Sequence, residues 1–179
     1  KRALQDYNLG IVGHTAYYLP IASPYDTLRR SALEEMHRAL QVFAEIGAPT
    51  VTVHPDKSIP FSLSPKEILQ KNLQSLEEIL RLAEPLGLRI LIENMDRTFN
   101  TVEQIQEALG RMSQLGFHLD VGHANLNVER NRTGQFLQAF RERLFHVHFS
   151  DNFGKSEDLH LPLGAGNIPW PKIIGLLKD

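Results

Sequence analysis

Two hydrophobic periods alternate along this chain: short apolar runs, and longer stretches in which apolar residues recur at helical spacing. The runs are Leu9–Val12, Thr50–Val53, Leu88–Ile92, Phe117–Leu119 and Leu144–Val147. Between the first two, Asp26 to Ile46 carries Leu28, Ala32, Met36, Leu40 and Phe43 on one face, with Gly47 as its stop. Ser64-Pro65-Lys66-Glu67 predicts a second helix start, in which serine caps, proline fits the first position and Glu67 closes a capping box. Ile68, Leu69, Leu73, Leu76 and Leu80 form its buried stripe, and Gly87 ends it. Thr101 to Gln104 repeats the capping-box pattern ahead of Ile105, Ala108 and Leu109. Thr133 to Phe140 predicts a shorter helix, and a last one starts near Pro169. These stripes are packing surfaces and carry no chemistry.

Strands and helices alternating from Leu9 to Asp151 predict an α/β fold with parallel strands, whose C-terminal ends share one side. An open, doubly wound sheet gives the same alternation. It would usually place a glycine-rich phosphate loop after its first strand, and Ile11-Val12-Gly13-His14 does not supply one. What favours a barrel is the residue closing each run: His14, His54, Glu93, Asp120 and His148. All five are metal-ligand types, and a β/α barrel gathers its strand ends around one active site. They are expected to converge on a single pocket.

Composition narrows this picture. With 179 residues and 42% apolar content the chain reads as one domain, 1–179, with one core. A full barrel needs about 250 residues. The opening Lys1–Asp6 reads as the tail of a helix and Ile173–Asp179 as a helix with no strand after it, so the expectation is a barrel truncated at both ends. Cysteine is absent, so a metal must sit on imidazole and carboxylate, which suits manganese, magnesium, cobalt or zinc. The formal charge of −2 makes no case for a nucleic-acid partner. No membrane span or secretory signal is visible, and a cytoplasmic protein, open to homo-oligomer formation, is expected.

Further candidates surround the five strand-end residues. Asp120 and His123 lie three apart on the turn leaving a strand, placed to share one ion or reach two. His118 and His146 precede Asp120 and His148 by two residues and share their strand faces, which reads as packing or support. Asp158 and His160, one residue apart, point the same way in an extended segment and can hold one ion. Gly164 and Gly166 predict a tight turn with positive φ, with a phosphate cradle at the following helix as a secondary reading. Glu93 and Asn94 end a fully apolar strand, where a carboxylate is costly unless paired or metal-bound, so Glu93 is the foremost catalytic candidate. Tyr17 and Tyr18 follow His14 on a loop from which they could stack on a sugar ring or base.

Taken in order, these residues resemble the xylose-isomerase-like barrel superfamily of sugar isomerases and epimerases and endonuclease IV-type nucleases. The likeness runs through His14-x-x-Tyr17, Val53-His54-Pro55, Ile92-Glu93-Asn94, Leu119-Asp120-x-x-His123, His148-x-x-Asp151, Asp158-x-His160 and Gly164-x-Gly166. It implies a partial (β/α)8 TIM barrel, about strands 3 to 7, without the glutamate ligand of an eighth strand. The resemblance implies metal ligands at Glu93, Asp120, His148, His123, His54, His14, Asp158 and His160. It further implies catalytic roles for Glu93 and Asp151, and substrate contacts at Tyr17, Asn94, His123 and His160. Asp120-Val121-Gly122-His123 and His148-Phe149-Ser150-Asp151-Asn152 look more like the isomerase/epimerase branch than the nuclease. That branch implies proton transfer through an enediolate on a small sugar or sugar phosphate. The alternatives are zinc-dependent cleavage of abasic DNA and a non-catalytic barrel that binds sugar or metal.

Overall fold

The computed structural model describes residues 2–57 and 63–178, which form two compact units. Lys1 and Asp179, part of the expected terminal helices, lie outside the described residues. The first unit comprises Lys1–Ile92 with Met112–Leu115, and the second Glu93–Arg111 with Gly116–Asp179. The fold is α/β, a partial TIM barrel, as the alternation predicts. Among the described residues no helix is long and apolar enough to cross a membrane.

In the first unit, helix α1 (Arg2–Asp6) precedes strand β1 (Gly13–His14), helix α2 (Asp26–Ile46), strand β2 (Thr50–Val53), helix α3 (Pro65–Ala83) and strand β3 (Arg89–Glu93), whose last residue is counted with the second unit. The strands run parallel, with Gly13 opposite Val51 and Thr50 to Val53 opposite Arg89 to Ile92. The first apolar run is misplaced by the sequence pattern. The ladder holds only Gly13 and His14, while Leu9 and Val12 are exposed. In α2 the buried face is Ala32, Leu33, Met36 and Leu40, and Leu28 faces solvent. The helix ends as predicted, on Gly47 at φ 87°. The capping box of α3 is complete: Ser64 Oγ accepts from the Glu67 amide, and the Glu67 carboxylate accepts from the Ser64 amide. Asn72 sits inside the α3 stripe and donates to the Asp56 and Ile68 carbonyls, so this buried amide is satisfied.

The second unit contains helix α4 (Val102–Arg111), strand β4 (Gly116–Asp120), helix α5 (Thr133–Phe140), strand β5 (Leu144–His148) and helix α6 (Trp170–Lys178). At the start of α4, Thr101 Oγ1 accepts from the Gln104 amide as the capping-box pattern predicts, while the Gln104 side chain accepts from the Asn100 amide and not from that of Thr101. Strands β4 and β5 are parallel with an irregularity: Phe117 faces Leu144, but His118 faces His146 and Asp120 faces His148. One residue, Phe145, is bulged out and exposed. Side chains alternate faces along a strand, so without the bulge Asp120 would stand beside Val147 and His148 would turn to the other face. The bulge therefore puts His118, Asp120, His146 and His148 on one side.

Candidate metal centre

Glu93 anchors the centre in the second unit. It ends β3 with only 1% of its side chain exposed, and three imidazoles surround it. His148 Nδ1 lies 3.6 Å from Glu93 Oε1 and 3.6 Å from Asp120 Oδ2. His123 Nδ1 lies 3.5 Å from Glu93 Oε1, and His118 Nδ1 lies 3.7 Å from Glu93 Oε2. These gaps are long for hydrogen bonds. Those from His148 Nδ1 to Glu93 and Asp120 suit ligands of a shared ion, since four donors at about 2.1 Å in a tetrahedron stand about 3.4 Å apart.

Backbone geometry holds this set in place. The Asn94 side-chain amide donates to the Asp120 carbonyl at 2.9 Å and accepts from the Asp120 amide at 2.8 Å. Asp120 Oδ1 accepts from the His123 amide at 2.7 Å, which leaves Oδ2 on the His148 side. His123 Nδ1 lies 2.9 Å from the Asn94 carbonyl, an acceptor only, so Nδ1 carries the proton. Its other nitrogen, Nε2, points to Asp158 Oδ2 at 3.1 Å, and His160 Nε2 meets the same oxygen at 3.0 Å. His123, Asp158 and His160 thus form a second, outer donor set. Asp158 Oδ1 is buried and accepts no hydrogen bond from the described residues, as expected of an oxygen waiting for a cation.

Charge in the centre follows from this crowding. For His123, burial opposes the charged form, but the bond to Asp158 and the charges of Asp120, Glu93 and Asp158 win and push it up to about 9. The carboxylates of Asp120 and Glu93 beside the His148 ring overcome its burial and also raise it to about 9. Burial works against ionising Asp158 too, yet His123 and His160 hold its carboxyl below the ordinary value. Two buried carboxylates, Glu93 and Asp120, are here balanced by protons on imidazoles, a role that a divalent cation fills equally well.

Asp151 is held by a separate set of donors. It is fully buried, and its two oxygens accept from the Asn152, Ile168 and Gly164 amides and from the Trp170 indole. These donors outweigh burial and hold the carboxyl below its usual value. Asp151 also pairs its backbone with Leu161. Of the two predicted turn glycines, Gly164 has φ 86°, but Gly166 does not take a positive φ. Gly166 is needed for clearance instead: a Cβ there would lie 2.2 Å from the Asn152 carbonyl oxygen. Gly122 is equally confined, since its Cβ would lie 2.2 Å from Ser150 Oγ and 3.1 Å from Asp120 Oδ1. Trp170, Asn152 and Gly122 are supports that no spacing in the sequence singles out.

In the first unit His14 and His54 are edge-to-face, with ring centroids 4.7 Å apart, and Tyr17 is tilted towards His54 at 6.4 Å. Tyr17 and Tyr18 are both exposed. The second unit brings together Glu93, Asn94, Asp120, His123, His148, Asp158 and His160.

The family model described as xylose isomerase-like TIM barrel matches residues 1–179. The chain belongs to this family. Among solved structures, this barrel is similar to a D-tagatose 3-epimerase-like protein, at 30% identity and TM-score 0.85 over 99% of this chain and 69% of that one. It is also similar to a protein of Thermus thermophilus whose crystals were soaked with zinc chloride, at 27% identity and TM-score 0.73, covering 94% and 68% of the two chains. In sequence it is similar to protein MJ1311 of Methanocaldococcus jannaschii, at 32% identity over 97% of this chain and 61% of that protein. A probable endonuclease 4 of Aquifex aeolicus is 26% identical over 98% of this chain and 68% of its own length. This barrel chain thus spans about three-fifths of the length of MJ1311. Its relatives include proteins named for epimerases and for endonuclease 4.

Proposed function

We propose that this protein is a divalent-metal-dependent sugar or sugar-phosphate isomerase or epimerase. The observation that carries the reading is the buried Glu93 carboxylate, with His148 Nδ1 at 3.6 Å from both Glu93 and Asp120. Similarity to a D-tagatose 3-epimerase-like protein supports the same branch. Glu93, Asp120 and His148 would hold the ion, of the manganese, magnesium, cobalt or zinc type. When bound, it supplies Lewis-acid polarisation of the substrate's carbonyl and hydroxyl oxygens.

The chain's own groups do the rest. Glu93 takes the proton from the carbon beside the carbonyl, giving an enediolate, and its burial keeps water from competing for that proton. His160, exposed on the outer side, meets substrate hydroxyls, and His123, whose two ring nitrogens face the Asn94 carbonyl and Asp158, positions that side of the site. Tyr17 offers an exposed ring face to a sugar. Asn94 serves as a positioning residue in this reading, because both ends of its amide are committed to Asp120. Asp151 likewise positions the segment between β5 and α6, because its carboxylate is filled by donors.

One observation favours a second reading, zinc-dependent cleavage of abasic DNA. The outer set of His123, Asp158 and His160 offers a further ion site, and two or three ions suit phosphodiester hydrolysis. A panel of ketoses, aldoses and their phosphates, run beside an abasic duplex with added metal, separates the two. Sugar turnover lost in Glu93→Gln supports the isomerase or epimerase. Robust metal-dependent strand cleavage lost in the same variant, with no sugar turnover, overturns it.

A further inference from the structure

His118 is the one buried imidazole beside Glu93 to which the proposed mechanism gives no task. It sits in the middle of β4 with no exposed side-chain surface, where the pattern of the strand calls for an apolar residue. A buried imidazole forfeits hydration that must be recovered from a partner. Its Nδ1 lies 3.7 Å from Glu93 Oε2, while His148 Nδ1 lies 3.6 Å from Glu93 Oε1. Two imidazoles thus address the two oxygens of one carboxylate. Glu93, His118 and His148 offer ligand atoms that all lie within 4.8 Å of one another. The rings of His118 and His148 are edge-to-face with centroids 4.0 Å apart, and His146 closes on His118 at 4.7 Å, so the imidazole cannot swing away. The bulge at Phe145 creates this arrangement by turning His146 and His148 to the His118 side.

We propose that His118 is itself a ligand of the metal centre, giving it two imidazoles and making it select zinc- or cobalt-type ions over manganese and magnesium. The inference rests on the reading that Glu93, Asp120 and His148 hold a metal, and it goes beyond that reading in ligand number and metal preference. A centre with carboxylates and one imidazole suits harder ions, and each added imidazole favours ions further along the first-row series. The competing role for His118 is to steady Glu93 by donating a hydrogen bond across the gap.

His118→Gln separates the two roles, because the amide retains a donor but offers only a hard oxygen to a metal. Zinc and cobalt affinities are measured by chelator competition and manganese affinity by electron paramagnetic resonance, on wild type and variant. A ligand role predicts zinc and cobalt affinity down by about tenfold or more, with manganese changed by less than about threefold. Unchanged zinc affinity, or zinc and manganese falling in parallel, overturns the proposal. Should the variant not fold, zinc-edge X-ray absorption on His160→Ala decides, since that change leaves the outer set with His123 as its single imidazole. Two imidazoles on a single bound zinc support the assignment, and one overturns it. Wild-type protein that binds none of these ions defeats the metal-centre reading itself, a result distinct from a wild type that binds zinc and a variant that binds it equally well.

Discussion

The Asn94 side chain is hydrogen-bonded to the Asp120 backbone at both ends, at 2.9 Å and 2.8 Å, in the manner of a strand neighbour. β3 ends at Glu93, so Asn94 lies just past the strand. The same residue's carbonyl receives His123 Nδ1–H. One asparagine thus sets the carboxylate of Asp120 and the ring of His123 together.

Asn94→Leu strands the buried amide and carbonyl of Asp120. Each lost partner costs about 1–3 kcal/mol, so destabilisation of about 2–6 kcal/mol is expected in urea unfolding of the metal-free protein. A loss below about 0.5 kcal/mol would contradict the clamp. Metal affinity should fall as well, because Asp120 and His123 lose their orientation.

Protons compete with metal at this centre. In the metal-free protein His123 and His148 are both raised to about 9, so both are charged at neutral pH. Metal at His123 Nε2 and His148 Nδ1 displaces these protons, and affinity should weaken as pH falls below about 9. Calorimetry in buffers of different ionisation enthalpy should show close to one proton released per chain at pH 7.5 for the ion at His148, and close to two where the outer set also fills. Proton-neutral binding would contradict the account. The folded pKa values lie above the unfolded histidine value of about 6.5. Stability gained by protonation is therefore full below about 6.5 and lost as pH rises through 9. The chelated protein should lose stability across that window, and the metal-loaded protein should not.

Asp151 is expected to act on architecture. Asp151→Ala removes the acceptor for the Gly164 and Ile168 amides and the Trp170 indole. Limited proteolysis should then cut between Gly154 and Asn167 much faster than in wild type, while the Glu93–Asp120–His148 ion is retained. Lost metal with an intact protease pattern would place Asp151 in the chemistry instead.

Gly122→Ala tests the tight approach of the β4 and β5 ends. The added methyl meets Ser150 Oγ at 2.2 Å and Asp120 Oδ1 at 3.1 Å, so one of them must move. Overpacking of this kind costs about 1–3 kcal/mol. Reduced metal affinity together with a lowered unfolding midpoint is the expected result; wild-type values for both would show that Ser150 rotates away freely.

Strand-end residues such as Glu93, Asp120 and His148 were legible in the sequence because each closes an apolar run, and a carboxylate or imidazole there stands out. The caps at Ser64 and Gly47 were legible for the same local reason. The first strand was not, because Leu9 to Val12 is apolar but exposed, and only Gly13 and His14 enter the ladder. Periodicity cannot show a bulge either. It is Phe145, expelled from the β4–β5 ladder, that decides which histidines share the face of Asp120. The hydrogen-bonding of Asp151 was not legible, because its donors lie 13, 17 and 19 residues further on, beyond any local pattern. The Asn94 bonds to Asp120 were not legible either, because a polar residue at a strand end reads the same whether it faces a ligand or the backbone of its neighbour.

The most direct test of the central claim is hydrogen exchange at substrate carbon. The metal-loaded protein is incubated in deuterium oxide with a set of ketoses and ketose phosphates, and proton NMR follows the position beside the carbonyl. Proton abstraction by Glu93 predicts metal-dependent deuterium incorporation at that carbon, abolished by chelation and by Glu93→Gln. Absence of exchange in every sugar, from a protein that binds its metal and cleaves an abasic duplex, would contradict the account.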